Sequence, residues 1–252
     1  MLKITLVLPV YNEETNLQKG VLDKIGNYIQ NNDDFIEVVI VDDGSSDDSK
    51  EIIKSKYLTQ FKKFLLVEND HKGKANAIIT GIKKAKGEYV MFSDIDLATP
   101  IEESEKLIVP LYEDFDIVIG SRKSKRLGAP ILRKIMAVGA TIIRDLLINL
   151  SGIKDTQCGF KIFKTSSAKE IISKLIVYSN PKIIKGSAVS AGFDMEFLFI
   201  AKKLGYKIKE IPVSWKHVET KHVNFLKDSF DALGDIFKIR SLDLKRKYDF
   251  KK

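Results

Sequence analysis

The sequence predicts an α/β protein built on a mostly parallel sheet with helices on both faces. Three observations predict it: short continuous apolar runs, helix-spaced segments between them, and polar clusters at the end of each run. A strand buried on both faces reads as an unbroken apolar stretch, and strand–helix alternation pairs such strands in parallel. Ile4–Val10 is the first run and ends at Pro9-Val10. A helix follows over Glu13–Ile29, with Leu17, Val21, Leu22, Ile25 and Ile29 at helical spacing. Glu37–Val41 is the second strand, stopped by DDGSSDDS, where Ser45, Ser46 or Asp47 can cap the next helix. Phe64–Val67 is the third strand, and a helix over Ala75–Ala85 follows the turn HKGKAN. Tyr89–Phe92 is the fourth strand, ended by SDIDLATP.

The second half is less regular. Asp116–Gly120 predicts a strand leading into SRKSKR, and Ile131–Leu150 a long amphipathic helix. Cys158–Phe163 and Ile208–Trp215 predict further strands, with a helix over Met195–Lys203 between them and a last amphipathic helix over Val223–Ile239. No repeat or linker divides the chain, so residues 1–240 form one domain, followed by a basic tail over 241–252.

The 252 residues carry 42 basic and 34 acidic side chains, a net charge of +8. The excess is clustered. Residues 121–134 hold six bases and no acid, and 216–252 hold ten bases against six acids. Such patches attract phosphate, whether on a nucleotide, a nucleic acid or a lipid headgroup. For the tail KRKYDFKK the expectation is an ordinary solvated surface. A single cysteine, Cys158, excludes an internal disulfide and a cysteine-built zinc site. No run of eighteen uncharged apolar residues suggests a transmembrane helix, and the N-terminus reaches Pro9 and acidic residues too soon for a signal peptide. The expected compartment is therefore the cytoplasm.

Ligands of an open parallel sheet bind beyond the carboxyl ends of its strands, so the polar clusters should converge. Asp94-Ile95-Asp96 follows a strand directly and can hold a hard divalent cation, Mg²⁺ or Mn²⁺. A phosphatase of the haloacid dehalogenase type also begins with D-x-D, but it needs Thr four residues after the first Asp; here Ala98 stands there and Thr99 comes one late. Asp42-Asp43-Gly44-Ser45-Ser46, read alone, is a capped turn. In company with Pro9, Tyr11 and Glu13 after the first strand and Lys74 after the third, it can read a nucleoside. A metal and a lysine would neutralise the diphosphate. His71, His217 and His222 read as turn or solvent-facing residues, and Cys158 as a packed small side chain.

These motifs, VLPVYNEE, VDDGSSDDS, KGKANAIITGIKKAKGEYVMFSDIDLATP and GSR, resemble a family 2 glycosyltransferase with the GT-A (Rossmann-like) fold. DTQCGFKIF (155–163) and GFDMEFLFIAKKLGYKIKEIPVSW (192–215) resemble its dolichyl- or polyprenyl-phosphate glucosyltransferase branch, close to the dolichyl-phosphate mannosyltransferases. The resemblance runs from residue 4 to about Arg240. It implies an inverting transfer of a hexose from a nucleotide-diphosphate sugar to a polyprenyl phosphate, and the nearer branch points to UDP-glucose. Pro9, Tyr11, Glu13, Asp42 and Asp43 would hold the nucleoside. Asp94 and Asp96 would hold the metal, with Asp96 the direct ligand. Arg122 and Arg133 would serve the transferring and acceptor phosphates. Gln157 and Lys161 would face the site, as would Lys221, where Thr220 replaces a serine of the relatives. Asp194 either caps the helix that follows it or contacts donor or acceptor. A phosphate nucleophile needs no general base.

The implied partners are a nucleotide-sugar donor, a lipid-phosphate acceptor and the cytoplasmic face of a membrane, reached by peripheral contact. A membrane-protein anchor and a homodimer stay open. GDP-mannose as donor, and a soluble glycan or protein as acceptor, are the alternatives. The acidic clusters argue against a nucleic-acid partner.

Overall fold

The structure, a computed structural model, describes residues 1–122, 131–179, 191–216 and 225–250; over 131–138, 191 and 225–229 it describes backbone only. Among these residues seven strands form one sheet, ordered β3-β2-β1-β4-β6-β5-β7. They are β1 (Ile4–Val10), β2 (Phe35–Asp42), β3 (Phe64–Glu68), β4 (Tyr89–Phe92), β5 (Ile117–Arg122), β6 (Lys161–Lys164) and β7 (Ile208–Val213). The helices are α1 (Glu14–Gln18), α2 (Val21–Gln30), α3 (Ser49–Ile52), α4 (Leu58–Gln60), α5 (Lys74–Lys84), α6 (Ser104–Ile108), α7 (Ile131–Ile148), α8 (Thr165–Ser173), α9 (Ala191–Lys203) and α10 (Phe225–Leu244). The expected mostly parallel sheet is present: only β6 runs against its neighbours β4 and β5.

Alternation along each strand divides the core. Val7, Val39 and Val41 join a cluster with α5, α8, α9 and α10 on one face; Leu6, Leu8, Val38 and Ile40 join α2 and the Ile101–Leu111 region on the other. The parallel register sets Val10 beside Asp42 and Asp42 beside Glu68, so the loops after β1, β2 and β3 leave from one edge. Lys161 at the start of β6 pairs with Phe92 at the end of β4, which brings the antiparallel strand's entry to the same edge. The ends of β5 and β7 join them.

Several boundaries differ from expectation. The helix expected over Glu13–Ile29 breaks into α1 and α2 at Gly20, whose φ of +75° is left-handed backbone that glycine adopts without cost. The strand expected over Cys158–Phe163 begins only at Lys161. Cys158 and Phe160 are buried as part of the loop, where Phe160 O accepts the Gly120 N–H at 2.8 Å. The strand expected to reach Trp215 stops at Val213. The tail is not fully solvated: Tyr248 is buried and its hydroxyl donates to Glu196 Oε1 at 2.7 Å.

Candidate active site

Two loops at the shared edge are bent by left-handed residues that are not glycine, Asn12 (φ 53°) after β1 and Leu97 (φ 52°) after β4. Asn12 tolerates that backbone and repays it. Its Oδ1 accepts the Ser46 N–H at 2.8 Å, and its own N–H donates to Ser45 Oγ at 3.0 Å. Asp47 accepts from the Glu14 and Ser49 N–H groups, which ties the first two loops together. Of the three expected caps it is Asp47 whose carboxylate meets the start of α3, from one residue before the N-cap position, Asp48, whose own side chain makes no capping bond. The Leu97 bend returns the chain so that the Ala98 N–H donates to Asp96 Oδ1 at 2.9 Å. Strain at a bulky residue in this region costs about 1–2 kcal/mol and is typical of a functional loop.

Asp42 and Asp43 end β2, both buried. Asp42 accepts from the Ser45 N–H at 3.3 Å. Asp43 clamps the loop after β3, accepting the Gly73 N–H at 2.7 Å and the Lys72 N–H at 3.2 Å, with His71 Nδ1 2.8 Å from its Oδ2. The His71 ring stacks on Tyr11, centroids 3.8 Å apart and planes 3° from parallel. His71, expected to be a mere turn residue, is thus part of the wall that Tyr11 and Asp43 form. Its 28-residue separation from Asp43 hides that contact in the sequence.

Around the D-x-D loop the charges come in pairs. Lys74, at the start of α5, bonds the Asp94 carboxylate. Burial would lower the Lys74 ammonium's pKa, but attraction to Asp94, then to Asp194 and Asp96, outweighs it and holds the group charged. Arg122, the last residue of β5, grips Asp155 with two bonds, Nε to Oδ2 at 2.7 Å and Nη2 to Oδ1 at 2.8 Å, while its guanidinium lies 5.7 Å from the Trp215 ring centroid. Asp155 is held below the usual carboxylate range: burial opposes this, and the Arg122 bonds override it. Buried Lys161 donates to Asp194 Oδ1 at 2.6 Å. Asp194 is a first-turn residue inside α9 and partners Lys161, so the capping role is not what the structure shows. The neighbouring Glu196 is fully buried and accepts the N–H groups of Ile176, Val177 and Tyr178, which makes it a structural clamp.

Asp96 and Glu13 have no hydrogen-bonded basic partner among the described residues. Asp96 is pushed up first by burial and then by the charge of Asp94, against the Ala98 N–H. Burial, then the charges of Asp96 and Asp94, likewise raise Glu13, with the Asn16 side chain opposing. Lys74 offsets part of the repulsion at Asp96, and what remains suits a divalent cation. No group of three or more His, Cys, Asp or Glu gathers for a metal among the described residues. Two carboxylates, with the remaining ligands from donor phosphates and water, are the pattern in which Mg²⁺ is commonly held. The residues therefore fit such an ion.

Pro9 lies at the end of β1 beside Val41 and is half-buried. Gln157 is exposed, its N–H donating to Asp155 Oδ1 at 3.2 Å. Burial raises the Cys158 thiol to about 11, consistent with packing and not nucleophilic work. Arg133 falls in the first turn of α7, where only backbone is described; Lys221, His217 and His222 lie outside the described residues.

Sequence reasoning also passed over Gly159. A methyl group there would sit 2.3 Å from Asp94 Oδ2, so only glycine leaves that carboxylate its place. Gly159→Ala is expected to lower turnover by about 10²-fold, because a misplacement near 1 Å costs that much, while the thermal midpoint stays within a few degrees. Parallel kinetics and calorimetry check it; unchanged turnover would show that the Asp94 position is not critical.

The family model described as "Glycosyl transferase family 2" matches residues 5–172, two thirds of the chain and every loop of the carboxylate edge up to Lys161. The chain belongs to glycosyl transferase family 2. Curated relatives of this family 2 chain bear out the expected branch. It is 37% identical over 232 residues to the dolichyl-phosphate beta-glucosyltransferase ALG5A of Trichomonas vaginalis, covering 86% of this chain and 66% of that one. To the dolichyl-phosphate beta-glucosyltransferase of Homo sapiens it is 30% identical, covering 86% and 68%. The chain thus spans about two thirds of the length of these relatives. Among solved structures, the glucosyl-3-phosphoglycerate synthase of Mycobacterium tuberculosis in complex with UDP superposes with a TM-score of 0.66 at 16% identity, over 95% of this chain and 80% of that one. The same enzyme with Mn²⁺, UDP and glucosyl-3-phosphoglycerate gives 0.65 at 17%. That likeness shows the expected GT-A fold.

Proposed function

We propose that this protein transfers glucose, with inversion, from UDP-glucose to the phosphate of a dolichyl or other polyprenyl phosphate. The observation that carries the reading is the convergence at one sheet edge of Asp94 and Asp96 with Lys74, Arg122 and Lys161, in a chain whose curated relatives are named dolichyl-phosphate beta-glucosyltransferases. Pro9, Tyr11, Glu13, Asp42 and Asp43 hold the nucleoside at the loops after β1 and β2, and His71 stiffens that wall from behind Tyr11.

Asp94 and Asp96 are the residues that would hold Mg²⁺ or Mn²⁺. Bound there, the ion supplies charge stabilisation to the leaving diphosphate. The protein's own part is positioning. Lys74 neutralises donor phosphate charge from a place fixed by Asp94. Arg122 arrives with its orientation set by Asp155 and by the Trp215 ring, so little freedom is lost when an anion approaches its free edge. Arg133 serves the acceptor phosphate, and Gln157, Lys161 and Lys221 assist in binding the donor.

An acceptor phosphate monoester has a second pKa near ~6 and is largely dianionic at neutral pH. It attacks without surrendering a proton. Asp155, Asp194 and Asp94 are each committed to a cation and Glu196 to backbone, while Asp96 and Glu13 are assigned to the metal and the nucleoside. The enzyme's task is to bring two anions together in line.

Donor choice is tested by calorimetry with Mg²⁺ present. UDP-glucose is expected to bind at least about tenfold tighter than GDP-mannose, a difference of about 1.4 kcal/mol, and to lose affinity with EDTA. The reverse preference would make the protein a mannosyltransferase of the same kind. The acceptor places the protein at a membrane, with the cytoplasmic face the expected side; no helix among the described residues is long and apolar enough to cross one.

A further inference from the structure

Helix α10 is buried on one side and carries an uncharged stripe along the other. Its inner side sends Ile236 and Ile239 into the core, and Asp235 accepts from the Tyr178 hydroxyl at 2.6 Å. Its outer face, read every third or fourth residue, is Phe230, Gly234, Phe237, Ser241 and Leu244. An ordinary surface helix places charge there. Here Phe230, Phe237 and Leu244 are 69%, 57% and 68% exposed at seven-residue spacing, a stripe about 21 Å long. A side chain at Gly234 would meet nothing within 4 Å, so the face between the two phenylalanines is open. Leu146 of α7, a helix that packs against α10, is a further exposed apolar residue, at 78%.

The stripe is bordered by base. Lys238 follows Phe237, and Lys245, Arg246 and Lys247 follow Leu244, all exposed; the exposed acids among the described side chains of 230–250 are Asp231 and Asp249. Scattered apolar residues on a surface need no explanation, but an uncharged stripe flanked by lysine and arginine is the pattern of a helix lying in a headgroup layer. A second copy of the chain is the weaker fit. The stripe is one helix wide, and the exposed residues beside it are mostly lysine and arginine, not the polar, uncharged rim of a self-complementary patch. The basic border would gain nothing from its own copy, whereas it complements anionic headgroups.

We propose that the outer face of α10 docks the protein on an anionic lipid surface, with Phe230, Phe237 and Leu244 entering the headgroup layer. This rests on the reading of the acceptor as a lipid-borne phosphate. The test needs neither donor nor acceptor, so its failure is separable from failure of transfer. The full chain is sedimented with phosphatidylcholine vesicles, with and without phosphatidylglycerol. Binding is expected to the anionic vesicles, weakening about tenfold or more in high salt and in the Phe230→Ser/Phe237→Ser variant. Unchanged UDP-glucose binding by that variant shows that the fold survives. Label transfer to acceptor in vesicles should fall in the variant, while transfer in detergent persists. Equal sedimentation of variant and parent would overturn the proposal. So would a parent that elutes as a dimer and a variant that elutes as a monomer, which would give the stripe to a second copy.

Discussion

Asp96→Ala is expected to lower glucosyl transfer by about 10²–10³-fold at saturating donor, the scale of losing one group that stabilises developing charge. The protein is expected to stay folded. Among the described residues Asp96 accepts a hydrogen bond from the Ala98 N–H, and its charge is opposed by burial and by Asp94. Removing it relieves repulsion, so the thermal midpoint should hold or rise as activity disappears, the trade expected of a residue kept for function. Transfer assays and thermal unfolding of the same preparation read both effects. Full turnover by Asp96→Ala would remove this residue from the mechanism.

The largest expected stability effect is at Glu196. Its carboxylate is fully buried and receives the backbone N–H groups of residues 176, 177 and 178 and the Tyr248 hydroxyl, at 2.7 to 3.1 Å. Alanine there leaves one buried donor, the Tyr248 hydroxyl, and three half-buried N–H groups without an acceptor, at about 1–3 kcal/mol for each. About 5 kcal/mol in all is expected, an exceptional loss for one substitution, and the thermal midpoint should fall by about 10 °C or more. Tyr248→Phe deletes a single bond and should cost about 1 kcal/mol. A Glu196→Ala protein that unfolds within a degree of its parent would mean that the clamp is not made in solution.

Much of this was legible beforehand, for physical reasons that differ by region. Strands β1, β2 and β4 are continuous apolar runs buried almost throughout, and such runs read the same in sequence and in structure; the edge strand β3 is apolar as well but only half-buried. The polar cluster after each one had to lie at the carboxyl edge once the strands were parallel, so Asp42, Asp43, Lys74, Asp94 and Asp96 could be gathered from topology alone. Pairings across distant segments could not. Asp155 reaches Arg122 over 33 residues and Lys161 reaches Asp194 over 33. Neither separation leaves a periodic trace. Gly159 is invisible for another reason: its importance lies in a side chain it lacks. Cys158–Phe160 misled because burial in a loop beside the site looks, by hydrophobicity, like burial in a strand.

Label transfer tests the central claim most directly. The protein, Mg²⁺ and dolichyl phosphate in detergent are mixed with UDP-glucose labelled in the sugar, in parallel with 3-phosphoglycerate as a water-soluble phosphate acceptor. Label is expected in the organic phase with dolichyl phosphate, lost with EDTA, and absent from the phosphoglycerate product. Label on the soluble acceptor alone would keep the site and its chemistry but contradict the lipid acceptor.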